Sequence, residues 1–334
     1  MNTFGRLFRV SVLGESHGEC VGTLLDGVPA GLPLAPEDFL HDLERRKGGG
    51  AKGTTPRKET DRPLIRSGVF GGKTTGAPLL ILFENANVRS SDYEKIKDTP
   101  RPGHADLVAR MKFGGFSDYR GGGHFSGRLT AALVAAGVVA KKLIAPAKAE
   151  AKVVEISGQD SAGGMEKAVA EAMAAGDSVG GVVECRVSGL PAGLGEPFFD
   201  SAESVLSHAV FSIPAIKGIE FGAGFASARM RGSQCNDEIL DESGRTATNN
   251  SGGINGGITN GNPLVFRVAV KPTSSIPKEG RTVNMETGSR VPIAVSGRHD
   301  SCIALRVPVV LEAVTAAVLA DLMITEQKIP RVLR

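Results

Sequence analysis

The sequence predicts a fold of mixed helix and strand, in which apolar helices lie between layers of sheet and two halves share a similar topology. Three observations predict it. The segments near residues 129 and 311 are helical in pattern and apolar almost all round, so they need burial on more than one side. Five short runs rich in Val, Ile or Leu are bounded by Gly or Pro, as strands are. Three short segments recur in the same order along the chain, which is the mark of a duplication.

In chain order, strands are expected at 23–28, 79–83, 152–156, 181–187 and 264–270, and helices at 37–46, 129–143, 165–175, 202–211 and 311–323. "GVPAGL" (27–32) and "GLPAGL" (189–194) each lead into a predicted helix. "GGKTTGAPL" (71–79) is answered by "GGITNGNPL" (256–264), with G-G-x-T-x-G-x-P-L in common. "RPGHAD" (101–106) and "GRHD" (297–300) each precede an apolar helix. Common turn chemistry is the alternative source of such matches, because Gly and Pro recur in any loop. The duplication reading makes 1–334 a single domain of two interleaved pseudo-repeats, about 1–145 and 146–334, with a site between them supplied by both.

Hydrophobic residues at 41% and charged residues at 22% are ordinary for a globular protein, whereas 44 glycines are not. They follow no Gly-X-Y period, which points to loops that wrap ligands. A net charge of +3 and the absence of Trp give neither an electrostatic footprint nor a stacking platform for nucleic acid. The four cysteines, Cys20, Cys185, Cys235 and Cys302, form no C-x-x-C pair, which argues against a zinc site or a disulfide framework and for a reducing cytoplasm. No signal peptide is expected, and the apolar stretch 131–140 is too short to span a bilayer.

"GESHGE" (14–19) sets a hydroxyl, an imidazole and two carboxylates between glycines. "YRGGGHFSGRLT" (119–130) runs a glycine loop into an apolar helix, where free N–H groups face an anion, Ser126 caps and Arg128 adds charge. Plain helix entry is the competing account of that loop. Arg45 and Arg46 close a predicted helix before "KGGGAKG", in a stretch from Arg45 to Lys73 that carries nine Lys or Arg against Glu59 and Asp61. A solvated basic face and an anion-binding loop both fit this stretch, the latter because Arg pairs bidentately with phosphate or carboxylate and because Lys52 and Arg57 sit on a flexible loop. His17, His104 and His299 each lie in Gly or Asp settings. An imidazole beside an anion favours its cationic form and so becomes a proton donor. No G-x-S-x-G elbow joins a predicted strand to a helix, and H-E-x-x-H is absent, so the remaining chemistry is acid–base work on an anionic ligand.

"GESHGECVGTLLDGVP", "RPGHADL", "DYRGGG", "GDSVGGVVE", "IPAIKGIEFGAGF", "NNSGGINGGITNGNPLVFRVAVKPTSSI" and "GRHDSC" resemble the motifs of the chorismate synthase family, in the same order and over nearly the whole chain. The resemblance implies an α+β fold, a β-α-β sandwich with helices packed between antiparallel sheets, in a homotetramer. It implies conversion of 5-enolpyruvylshikimate 3-phosphate to chorismate with loss of phosphate, in aromatic amino-acid biosynthesis, and dependence on reduced FMN. Since no separate reductase domain is visible, an external reductant is expected, with NADPH entering only as a source of reducing equivalents. Neither metal, nucleic acid nor membrane is implied.

Carried over by position, the resemblance makes His17 the general acid toward the departing phosphate and places His104 by the flavin N1 region. Asp300 would assist proton transfer at flavin N5, with Ser16 and Ser126 as relay hydroxyls. Flavin contacts would come from His124, Phe125, Ser126, Pro214, Ala215, Gly256, Lys271, Pro272, Thr273, Ser274, Ser275 and Arg298. His17, Arg46, Lys52, Arg101 and Arg128 would cradle the substrate anions. His124 and Phe125 depart from the usual pair there, Gly127 replaces Ala and Lys52 replaces Arg. These departures leave a second reading, a flavin- or nucleotide-binding protein that has lost the elimination, and a third, a phosphoesterase.

Overall fold

The computed structural model describes every residue except 48, 49, 51, 55–59, 87–90, 95, 296–298 and 334. Along the chain run β1 (Thr3–Phe4), β2 (Arg9–Gly14), β3 (Cys20–Asp26), α1 (Leu40–Arg46), β4 (Leu64–Ser67), β5 (Leu79–Glu84) and α2 (Thr130–Leu143). There follow β6 (Lys148–Ile156), α3 (Ala162–Ala174), β7 (Gly181–Ser188), α4 (Ala202–Val210), β8 (Ile216–Phe221), β9 (Leu264–Val270) and α5 (Val307–Thr325). The first sheet has the order β1-β2-β3-β5-β4 and the second β8-β9-β7-β6. Every pair in both is antiparallel, so the chain is α+β.

All five expected strands and five expected helices are present, with shifted ends. The run expected at 37–46 is a 3-10 turn, Pro36–Phe39, that continues into α1, and the helix expected at 311–323 is the longer α5. Four of these strands are not anticipated: β1, β2, β4 and β8. Each is half-exposed along much of its length, so its apolar signal is diluted.

One-sided burial explains the sheets. Leu79, Ile81 and Phe83 of β5 are buried, as are Leu264, Phe266, Val268 and Val270 of β9, each set on one face by the two-residue period. Those faces cover α2, which packs on β2, β3 and β5, and α5, which packs on β6 and β7. The two helices lie against each other, and at Gly137 of α2 the approach is tight: a β-carbon there would fall 2.2 Å from Ala313 Cβ. By length and composition Ile303–Thr325 could cross a membrane, but 89% of the apolar window is buried inside the protein. Its two acids are absorbed locally. Asp321 accepts the backbone N–H groups of Arg6, Leu7 and Phe8, and Glu312 accepts Arg45, Lys141 and the Ala151 N–H.

Apart from α3, which stands between β6 and β7 only, two stretches run in the same order, β2-β3-α1-β4-β5-α2 and β6-β7-α4-β8-β9-α5. The recurring segments also make the same bonds. In the first half Thr74 Oγ1 donates to the Pro29 carbonyl at 2.6 Å and accepts the Leu32 N–H at 2.9 Å. In the second, Thr259 Oγ1 donates to the Pro191 carbonyl at 2.9 Å and accepts the Leu194 N–H at 2.9 Å. One buried threonine thus pins a P-A-G-L turn in each half, ahead of the strand that starts at Leu79 or Leu264.

Candidate active site

Strand β2 ends at Gly14, whose φ of 87° turns the chain toward Ser16 and His17. Opposite them runs the loop Arg120–Phe125, in which Gly121, Gly122 and Gly123 have φ of 61°, 82° and 53°. The loop is tied to the turn by Ser16 N–H donating to the Gly123 carbonyl at 3.1 Å and by His124 Nδ1 donating to the Gly14 carbonyl at 2.7 Å. Lacking β-carbons, these glycines let two imidazoles approach. A β-carbon at Gly121 would lie 2.6 Å from His17 Nε2, and one at Gly122 would lie 3.1 Å from His104 Cε1. Consecutive glycines therefore seat the two histidines.

His104 is oriented by Asp106, whose Oδ1 accepts Nδ1–H at 2.5 Å. The same carboxylate accepts Arg101 Nε at 2.7 Å and Nη2 at 2.8 Å, and Arg101 Nη1 reaches Ser275 Oγ at 3.0 Å. Burial works to raise the Asp106 carboxyl, but the hydrogen bonds and charges of Arg101 and His104 outweigh it and hold it well below the usual carboxylate range. With Asp106 an acceptor only, Nδ1 carries the hydrogen, and Nε2 is left as the ring nitrogen for a ligand.

Asp61, buried and at φ 40°, bridges two guanidiniums. Arg46 Nη2 donates to Oδ2 at 2.6 Å, and Arg128 Nη1 donates to Oδ1. Burial raises the Asp61 carboxyl, and the two cations pull it down by more, so it remains ionised. Ser126 caps the turn that leads into α2, its Oγ accepting the Arg128 N–H at 3.3 Å. At the end of α1 the paired arginines divide: Arg45 goes to Glu312 between helices, and Arg46 faces the cleft. Arg306 joins Asp300 to this wall, with Nη1 on Asp300 Oδ2 at 3.0 Å and Nε on the Arg46 carbonyl at 2.9 Å.

The histidines and arginines so held line one cleft of about 790 Å³, with Asp61 and Asp106 behind them. It gathers His17, His104, Asp300 and Ser126; Arg46, Arg101 and Arg128; and His124, Phe125, Pro214, Ala215 and 271–275. His299 lines it too. Three expected residues do not. Ser16 is buried behind His17, its Oγ without a hydrogen-bond partner among the described residues. Gly256 sits in the hairpin of Ile254–Asn255 and Ile258–Thr259. Lys52 is exposed, although the Gly53 carbonyl beside it accepts the Ser301 and Cys302 N–H groups. Arg298 and Arg57 lie outside the described residues. Sequence reasoning missed Asp61, Asp106 and Arg306 as site residues; the spacing H-x-D at the start of the helix Asp106–Lys112 was the available sign for one of them.

"GESHG" also spells G-x-S-x-G, as does "GDSVG" (176–180). The first links two antiparallel strands and the second links α3 to β7, so neither is a strand-to-helix nucleophile elbow.

Fold and cleft together define an α+β protein whose one cleft sets histidines beside arginine guanidiniums. Residues 8–324 match the family model for chorismate synthase. A chorismate synthase from Chitinophaga pinensis is 67% identical over 335 residues, covering 100% of both chains. One from Methanocaldococcus jannaschii is 45% identical, over 97% of this chain and 96% of its own. A crystal structure of chorismate synthase superposes with a TM-score of 0.74 at 30% identity, over 96% of this chain and 93% of that one. The chain belongs to the chorismate synthase family.

Proposed function

We propose that this chain is a carbon–oxygen lyase that converts 5-enolpyruvylshikimate 3-phosphate to chorismate and phosphate in aromatic amino-acid biosynthesis. Family membership supports the reaction, and one observation supports its site: His17, Arg128 and Asp300, from distant parts of the chain, line a single cleft. The C3–O bond breaks with its electron pair going to phosphate, and a proton leaves C6, an anti-1,4 elimination. His17 delivers a proton to the departing phosphate oxygen, and Arg46, Arg101 and Arg128 hold the substrate anions. Asp300, held by Arg306, is the carboxylate on hand to take up a proton.

The donor set fits a flavin phosphate and ring. Lys271 and Lys217 line the cleft and pair with no carboxylate among the described residues; burial, and Lys217 nearby, lower the pKa of Lys271. Thr273 Oγ1, in the same wall, is buried without a hydrogen-bond partner among the described residues, as a ligand-binding atom would be. Lys271, Pro272, Thr273, Ser274 and Ser275, with Pro214, Ala215 and His124, Phe125 and Ser126, would hold FMN, and Gly256 and Arg298 stay in the proposed set. Reduced FMN, when bound, supplies electron density to the allylic system as the phosphate departs. The protein supplies position, charge and exclusion of water.

Our reading includes a sandwich in which α2 and α5 fill the space between the sheets, an external flavin reductant, and a cytoplasmic setting, which the four unpaired cysteines suit. It includes a homotetramer, supported by the exposure of Phe70, Phe198, Phe199 and Phe225. Anaerobic protein with reduced FMN and the enolpyruvyl substrate tests the whole: phosphate and chorismate are released together. Phosphate without chorismate makes it an esterase, and flavin binding without either product makes it a cofactor-binding protein.

A further inference from the structure

Asn85 follows β5, and its half-buried side chain joins two parts of the cleft that sequence separates. Nδ2 donates to the Glu15 carbonyl at 3.0 Å and to the Gly18 carbonyl at 2.9 Å, the two residues that bracket His17. Oδ1 accepts Arg128 Nε–H at 2.9 Å. The amide can face only this way, since carbonyls accept and guanidinium donates; a flip would break all three bonds. The Asn85 N–H adds a bond to the Glu19 carbonyl at 3.1 Å. Within the turn itself, the backbone bond is Gly18 N–H to the Glu15 carbonyl at 3.2 Å, and glycines stand at 14 and 18. A turn so built has little stiffness of its own: the glycine loop ties it at Gly14 and Ser16, and Asn85 ties it at Glu15 and Gly18, on either side of His17.

We propose that Asn85 is a positioning residue that sets the His17 imidazole against the Arg128 guanidinium, so that proton donor and cation meet oxygens of one phosphate ester. The proposal rests on the reading of His17 as the acid for a phosphate leaving group. Protonation of a leaving oxygen needs hydrogen-bond reach, and Arg128, fixed by Asp61, Ser126 and the Glu84 carbonyl, decides where that oxygen lies. Should the His17 turn drift by an ångström against a phosphate anchored elsewhere, the transfer would slow by about two orders of magnitude.

Asn85→Ala and Asn85→Asp, each alone and combined with His17→Ala, are assayed anaerobically for chorismate with reduced FMN. Asn85→Ala lowers kcat by about 10²-fold with a smaller change in KM. In the His17→Ala background the same substitution changes kcat by less than about twofold, because a residue that acts through the imidazole has nothing left to position. Asn85→Asp retains the acceptor for Arg128 and loses the donor to Glu15 and Gly18, so kcat falls while KM stays near that of the unaltered protein. An equal loss in both backgrounds, or a raised KM with kcat intact, overturns the proposal.

A second measurement needs no turnover. In histidine-labelled protein the His17 ring resonances shift when inorganic phosphate is added, and in Asn85→Ala they do not; persistence of the shift overturns the proposal. Unaltered protein that makes no chorismate overturns the substrate reading instead, and the resonances still decide Asn85.

Discussion

Gly121 lies directly against His17, close enough that a β-carbon would fall 2.4 Å from His17 Cδ2 and 2.8 Å from Ser16 Oγ. The loop is glycine for a steric reason as well as for its φ of 61°. Gly121→Ala forces the imidazole to move. We expect kcat/KM to fall by about 10²-fold, with only a modest loss of thermal stability, in steady-state assays and melting curves run together. A variant with native kinetics would mean that His17 need not sit where it does.

His17→Ala tests the acid itself. Turnover at saturating cofactor should drop by about 10²- to 10⁴-fold, the range for loss of a general acid. An unchanged rate removes His17 from that role.

Glu312 makes acid stability a property of the core. It is 4% exposed and accepts Arg45, Lys141 and the Ala151 N–H. Burial raises its carboxyl, but these partners outweigh burial and lower it. A depressed folded pKa gives stability that is present above the unfolded value, about 4.3, and is lost as pH falls through the folded one. Glu312→Gln should therefore cost about 3 kcal/mol at pH 7 and show a flatter decline in acid than the unaltered protein, by denaturant melts across pH. Parallel declines would contradict the assignment.

Much of this was legible in the chain. The all-round apolar pattern of α2 and α5 implied burial between other elements, because no other placement hides such helices from water. His17, His104 and Arg128 could be picked out because imidazole and guanidinium in glycine loops have few purely structural uses. Asp61 and Arg306 could not be found in the same way. Each matters through a partner distant in sequence or across a loop, and a lone acid in a basic stretch looks like ordinary solvated charge. Ser16 could be named from the sequence but its setting could not: the turn buries its hydroxyl against Gly121. Asn85 gave no signal at all, since its role depends on three bonds that only the folded chain brings together.

One cleft is expected to hold cofactor and substrate together, with His17 at the phosphate. A crystal structure of the chain with oxidised FMN and 5-enolpyruvylshikimate 3-phosphate tests it most directly. We expect the ester phosphate on Arg46 and Arg128 within hydrogen-bond reach of His17, and the flavin along Pro214, Ala215 and Lys271 to Ser275. Ligands in separate cavities, or a phosphate remote from His17, would contradict it.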